Sequence, residues 1–158
     1  MTPIRPATPA DIPTIRTLIG ALAVYEKEPD AVKASEADLA AALFGARPLA
    51  EAVLAEIDGV AVGLALFFTS FSTWAGKGGL YLEDLFVTPE ARGAGVGKAL
   101  LVYLAGVAVA RDYARFEWQV LDWNEPAIGF YKGLGAQMQD EWTKMRVEGE
   151  ALARLAAG

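Results

Sequence analysis

The chain has 158 residues, 54% of them hydrophobic and 22% charged, so it can bury a sizeable core and is not of a disordered type. Its net charge of −6 argues against nucleic acid as a partner and is compatible with a cationic one. It contains no cysteine and no histidine, which excludes disulfides, thiolate metal sites, a cysteine nucleophile and the usual general base.

Acid–base chemistry must therefore fall to Glu, Asp, Tyr, Lys or water, and no metal site is expected. No run of about 18 uncharged apolar residues occurs, so no membrane span is expected. The opening M-T-P-I-R-P-A-T lacks a signal-peptide core, and the expectation is a cytoplasmic protein. No repeat, low-complexity segment or linker interrupts the sequence, which reads as one domain over 1–158.

In chain order, Ile4 to Ala7 reads as a short strand. Thr8 can cap a helix with Pro9 at its first position and Asp11 in its first turn. Ile12, Ile15, Leu18, Ile19, Leu22 and Ala23 fall on one face of that helix, which ends near Tyr25-Glu26. Ser35 and Asp38 resemble a capping box and start a second helix that runs to about Phe44. Glu51 to Ile57 and Val60 to Phe68 read as strands, joined by a hairpin turn at Asp58-Gly59. Thr69 to Gly79, rich in Ser, Thr and Gly, reads as a loop. Leu80 to Val87 is an apolar strand carrying two adjacent carboxylates, Glu83 and Asp84. After the turn at Thr88-Pro89 comes the loop Arg92-Gly93-Ala94-Gly95-Val96-Gly97, followed by Lys98 and a long helix. Arg115 to Leu121 alternates as a strand, and Asn124-Glu125-Pro126 starts another helix. Gln137 to Val147 reads as a last strand region and Glu148 to Ala156 as a short terminal helix. The fold class is α/β (α+β), with helices layered on a mixed sheet.

The glycine-rich loop is the strongest chemical signal. Glycines let backbone N–H groups converge, and a helix N-terminus adds partial positive charge, so such a loop cradles a phosphate. It is not a P-loop, because Arg92 stands where that motif needs glycine and Ala99 where it needs a hydroxyl. It is not a dinucleotide fingerprint either, because its spacing is G-x-G-x-G. It fits [RQ]-x-x-G-x-[GA], with Arg92, Gly95 and Gly97 in the named positions.

Other candidates carry two readings on sequence alone. Glu83 and Asp84 point to opposite faces unless a bulge intervenes; each is a structural or solvated group, or a partly buried site carboxylate beside the loop. Tyr131 is a core aromatic or a general acid. Trp74, Tyr25 and Glu26 are packing residues or contacts for a cationic amine. Trp118, Trp123 and Trp142 read as core or interface, and Glu28 and Asp30 as part of a solvated acidic loop.

Together these stretches resemble the GNAT acetyltransferases, and within them the diamine branch of spermidine/spermine and thialysine acetyltransferases. The matching segments are Ile4 to Thr8, Tyr25-Glu26, Trp74 to Lys77, Leu80 to Val87, Arg92 to Gly97 and W-N-E-P-A-I-G-F-Y-K from Trp123 to Lys132. The resemblance implies a largely antiparallel sheet whose fourth and fifth strands splay apart, a homodimer, and acetyl-CoA as donor. It implies that the main chain of Leu85, Phe86 and Val87 holds the pantetheine. Arg92 would bind the coenzyme as well, Gly93, Ala94, Gly95, Val96, Gly97 and Lys98 would hold its pyrophosphate, and Asn124 would lie near the acetyl group. Tyr131 would be the general acid, and Glu83 the base acting through water. Tyr25, Glu26, Trp74, Glu83 and Asp84 would line the acceptor. The polyamine enzymes carry an Asp two residues before the loop tryptophan, where this chain has Ser72; that departure favours a small amine such as thialysine over a long polyamine. The competing expectations are a protein or aminoglycoside acceptor, and a non-catalytic acetyl-CoA sensor that would need neither Glu83 nor Tyr131.

Overall fold

The computed structural model describes residues 2–158, and the chain forms two compact units, Met1–Leu121 and Asp122–Gly158. The first unit is built on a five-stranded sheet. Its strands are β1 (Ile4–Pro6), β2 (Glu51–Ile57), β3 (Val60–Ser72), β4 (Lys77–Val87) and β5 (Arg115–Trp118), and they lie side by side in chain order. All neighbours are antiparallel except β4 and β5, which run parallel. The parallel pair requires a crossover, and α3 (Val96–Ala110) supplies it. Two further helices, α1 (Ile12–Tyr25) and α2 (Glu36–Phe44), stand between β1 and β2 in the chain.

The sheet is covered on both faces. Ile15, Leu18 and Leu22 of α1 and Leu39 and Leu43 of α2 cluster with Leu54, Leu64, Leu66 and Phe86 of the sheet. The neighbouring Gly63 points to the other face, where a Cβ would lie 3.0 Å from the Val96 side chain and 3.1 Å from Leu100. Glycine here lets α3 approach the sheet closely, with Val96, Leu100 and Leu104 essentially fully buried.

Local chemistry explains the element ends. The Thr8 N–H donates to Asp11 Oδ2 at 2.7 Å, and a short 3-10 turn, Pro9–Asp11, precedes α1. Arg5 donates two bonds of 2.8 Å to Asp11 and one of 2.8 Å to Glu56, tying β1 to the start of α1 and to β2. At α2 the expected capping box forms: Ser35 N–H donates to Asp38 Oδ2 at 2.9 Å, and Asp38 N–H to Ser35 Oγ at 3.1 Å. The β2–β3 hairpin turns through Asp58 at φ 52° and Gly59 at φ 76°, both in the left-handed region that a tight two-residue turn demands.

Three expectations are corrected. The stretch Thr69 to Gly79 is not a loop: β3 continues to Ser72 and β4 begins at Lys77, so only a four-residue tip remains. Of the glycines that suggested a loop, Gly78 packs against the Tyr113 ring, where a Cβ would come within 2.8 Å of it. Strand β5 ends at Trp118, short of Leu121. Residues 137–147 form no strand.

The second unit carries α4 (Glu125–Gly133) and α5 (Gly149–Ala157). Asn124 caps α4 by accepting the Ala127 N–H at 3.4 Å, and it is this unit's one buried residue. Among the described residues, no helix is long and apolar enough to cross a membrane.

Candidate active site

Strand β4 delivers both halves of the site in the first unit. Its register against β3 runs Val87 opposite Gly63, Phe86 opposite Leu64, Leu85 opposite Ala65 and Asp84 opposite Leu66; the next pair is Leu82 opposite Phe67. Glu83 is thus the extra residue of a β-bulge. The bulge breaks the strict alternation that would otherwise send Glu83 and Asp84 to opposite faces. Glu83 is exposed and Asp84 half-buried. Burial pushes the Asp84 carboxyl up to about 6, and the charges of Glu83 and Glu26 push in the same direction. Glu26, the residue after α1, is itself raised by burial. Three carboxylates therefore share one electrostatic neighbourhood, and every influence resolved on Asp84 disfavours its negative charge. Such a group gains from a bound cation, and a carboxylate poised near 6 can take up a proton at neutral pH.

A few residues on, the same strand opens towards an anion. Pairing with β5 ends at Leu82 opposite Trp118, so the main chain from Glu83 to Val87 has no β5 neighbour. The resemblance implies a splay between the fourth and fifth strands at this place. The chain then passes through a 3-10 turn, Pro89–Ala91, into the glycine loop. Gly93 and Gly95 both sit at φ 81°, with Ala94 between them outside the positive-φ set. Alternation of this kind turns successive N–H groups towards one point. The first backbone bond of α3 is Ala99 N–H to Gly95 O at 2.9 Å. Among the described residues, the N–H groups from Gly93 to Lys98 make no backbone hydrogen bond. These groups and the helix dipole favour a phosphate. Gly97, in the first turn of α3, has open space around it: an added Cβ would meet only Val87 Cγ2, at 3.8 Å.

Arg92, at the entry to the loop, also makes side-chain contacts within the protein. Its side chain turns back: Nε donates to the Val87 carbonyl at 3.1 Å. The guanidinium carbon lies 4.8 Å over the Tyr25 ring and 5.6 Å from the Phe86 ring. Nothing in the sequence brings together residues 67 apart such as Tyr25 and Arg92; only the packing of α1 on the sheet does so.

A model of the acetyltransferase (GNAT) family matches residues 17–136. The chain belongs to the GNAT acetyltransferases. It is 42% identical over 164 residues to the thialysine N-epsilon-acetyltransferase of Bos taurus, covering 97% of this chain and 96% of that protein. It is 40% identical to the Sus scrofa enzyme of the same name, again over 97% and 96%. Among solved structures, an integron cassette protein from the mobile metagenome of V. cholerae superposes with a TM-score of 0.83 at 30% identity, covering 99% and 98% of the two chains.

The remaining residues expected in the site of this acetyltransferase stand on other elements. Trp74 stands at the tip of the β3–β4 hairpin and is 85% exposed. At about 3.3 Å per residue, that tip is roughly 20 Å along the strand from Glu83, so the structure does not bring Trp74 to the carboxylates. Ser72 is engaged there as a turn residue, its Oγ accepting the Ala75 N–H at 3.1 Å. Asn124 and Tyr131 belong to the second unit, at the cap of α4 and two turns further on, and so share one side of that helix. Tyr131 is half-buried, and its ring lies 5.5 Å from that of Phe130. The resemblance implies Glu83 as the base acting through water; burial perturbs its neighbour Asp84.

Proposed function

We propose that this acetyltransferase moves the acetyl group of acetyl-CoA onto the primary amine of a small cationic acceptor, of thialysine or diamine type. One observation carries the reading. A single strand holds a half-buried carboxylate group at Glu83-Asp84 and, just beyond it, feeds a loop with an array of N–H groups lacking backbone acceptors. One end is made for a cation and the other for an anion, which are the charges of the two substrates.

In this mechanism the loop from Gly93 to Lys98 takes the pyrophosphate, and the open edge from Leu85 to Val87 takes the pantetheine. Glu26 and Asp84 receive the acceptor ammonium. An aliphatic ammonium has a pKa near 10, so it must lose a proton before it attacks. Glu83, exposed to water, collects that proton through a water molecule. The amine nitrogen forms the new bond to the acetyl carbon, and the C–S bond breaks with its electron pair leaving on sulfur. A main-chain N–H of the open β4 edge polarises the acetyl oxygen. Tyr131 gives its phenolic proton to the departing thiolate, the role its W-N-E-P-A-I-G-F-Y-K context implies, and Asn124 contacts the coenzyme near the acetyl group. The same reading includes a cytoplasmic homodimer.

Two facts favour a short acceptor. The Bos taurus and Sus scrofa relatives are named for thialysine. The place where polyamine enzymes carry a further carboxylate holds Ser72, which is used in a turn far from Glu83. The test is free-thiol release from acetyl-CoA with thialysine, lysine, putrescine, spermidine, an aminoglycoside and a basic peptide. Thialysine is expected to show kcat/KM at least tenfold above spermidine. Preference for spermidine, the aminoglycoside or the peptide would contradict the acceptor assignment.

A further inference from the structure

We propose that two copies of this chain meet through the outer face of α3, the helices packing antiparallel about a two-fold axis between Ala105 and Gly106. The inference gives a surface to the homodimer of the reading above and rests on that reading for the second copy; it does not depend on the acceptor. From Ala99 to Ala110 the helix carries no charge, and Tyr103 is its one polar side chain. Every other helix bears a charged residue, such as Arg16 on α1 and Glu125 on α4. Leu100, Leu101, Leu104 and Ala108 are buried. On the outer side Val102 is 61% exposed and Val109 80%, with Ala105 and Gly106 exposed between them. A helix that is apolar all round is one that is covered all round.

The spacing along this face identifies the occupant. Val102 and Val109 stand equally far from the midpoint between Ala105 and Gly106. A two-fold axis there sets Val102 of one copy against Val109 of the other, and Ala105 against Gly106. A face that reads the same in both directions is self-complementary, which an isologous contact requires. At the axis, an added Cβ on Gly106 would meet nothing within 4 Å. The backbones can therefore close to the short end of the roughly 8–10 Å range of packed helices. The ends of the helix agree in charge. Exposed Lys98 stands in the first turn of α3, and exposed Asp112 lies just past its last residue. Antiparallel packing brings each Lys98 towards Asp112 of the other copy and sets the two helix dipoles antiparallel. Asp112 already accepts from Lys77 at 2.6 Å, and its carboxylate has capacity for a second donor. Parallel packing would bring like charges together, so the ends select the direction. A helix pair of about three turns covers less than the ~1,200 Å² of a standard interface, which sets the expected dissociation constant in the micromolar range.

The experiment is sedimentation equilibrium of the full chain across the micromolar range, on wild type, Val102→Lys, Val109→Glu and the double variant. Each single variant puts a charge against a valine of the other copy and is expected to weaken self-association at least about tenfold. In the double variant each new lysine faces a new glutamate across the axis, and association is expected to return to within about threefold of wild type. Thermal unfolding of the dilute chain should be unchanged, because both positions are exposed. A double variant no tighter than the singles would overturn the proposed register. Single variants that lose thermal stability without a change in mass would show the face covered by another segment of the same chain, which also overturns the proposal. A wild-type dimer indifferent to all three variants would overturn this surface and leave the homodimer standing, whereas a chain that stays monomeric throughout would remove both.

Discussion

The two ends of the functional segment of β4 solve opposite problems. From Gly93 to Lys98 the protein presents N–H groups on an exposed loop, with glycines at positive φ and hardly any side-chain machinery. At Glu26, Glu83 and Asp84 it presents side chains, one of them desolvated enough to be poised near pH 6. The loop stabilises an anion with a dipole array fixed by backbone geometry, and such an array tolerates no substitution that alters that geometry. The carboxylates favour a cation by an energetic imbalance, three acids with little to offset them. The difference teaches where each half is fragile: the first to shape, the second to charge.

The largest single effect is expected outside both halves. Tyr131→Phe removes the proposed proton donor and should lower kcat about 100-fold, within the range of general acid catalysis, with acetyl-CoA affinity unchanged. Undiminished turnover in stopped assays of thiol release would take Tyr131 out of the mechanism. Next, Gly97→Ala tests shape without charge. There is room for the methyl group on the protein side, so the variant should fold and gain up to ~1 kcal/mol from helix propensity. Its KM for acetyl-CoA should rise about tenfold. A variant that is more stable and binds the coenzyme as well as wild type would mean the glycine has no ligand to accommodate.

Asp84→Asn tests charge without shape, and its smallest effect is on stability. The Asp84 carboxyl titrates near 6 in the folded protein, against an ordinary value of 3.8. Between those values the folded state binds the extra proton, so stability is greatest below pH 4 and is lost as pH rises through 6. At pH 7 the cost is roughly 2–3 kcal/mol before solvent screening reduces it. Asp84→Asn should therefore raise the Tm at pH 7 by a few degrees and leave it unchanged at pH 4. In activity, kcat/KM for the amine should fall below a break near pH 6, and the variant should lack that break. A Tm that drops at pH 7 would show that the carboxylate is satisfied by a partner.

Parts of this design are legible in the sequence because they are local. Ser35 with Asp38, Asp58 with Gly59, and Asn124 ahead of Pro126 each specify a cap or turn within four residues, and the structure forms all three. The loop after Arg92 is legible for the same reason, since its spacing and glycines are contiguous. Long-range features are not. The bulge at Glu83 exists only in the register between β3 and β4, so no reading of L-E-D alone could assign the tuned carboxylate to Asp84. The contact of Arg92 with Tyr25 depends on α1 lying over the sheet. Ser, Thr and Gly between Thr69 and Gly79 mimic a loop, whereas pairing with β4 and the Tyr113 ring make that stretch a hairpin.

The division of labour along β4 is tested most directly by an initial-rate grid varying acetyl-CoA and thialysine together, on wild type and Asp84→Asn. We predict that the variant loses about 30-fold in kcat/KM for the amine while its KM for acetyl-CoA stays within twofold. A variant with unchanged amine kinetics, or one whose loss falls on acetyl-CoA, would contradict the assignment of the carboxylates to the acceptor.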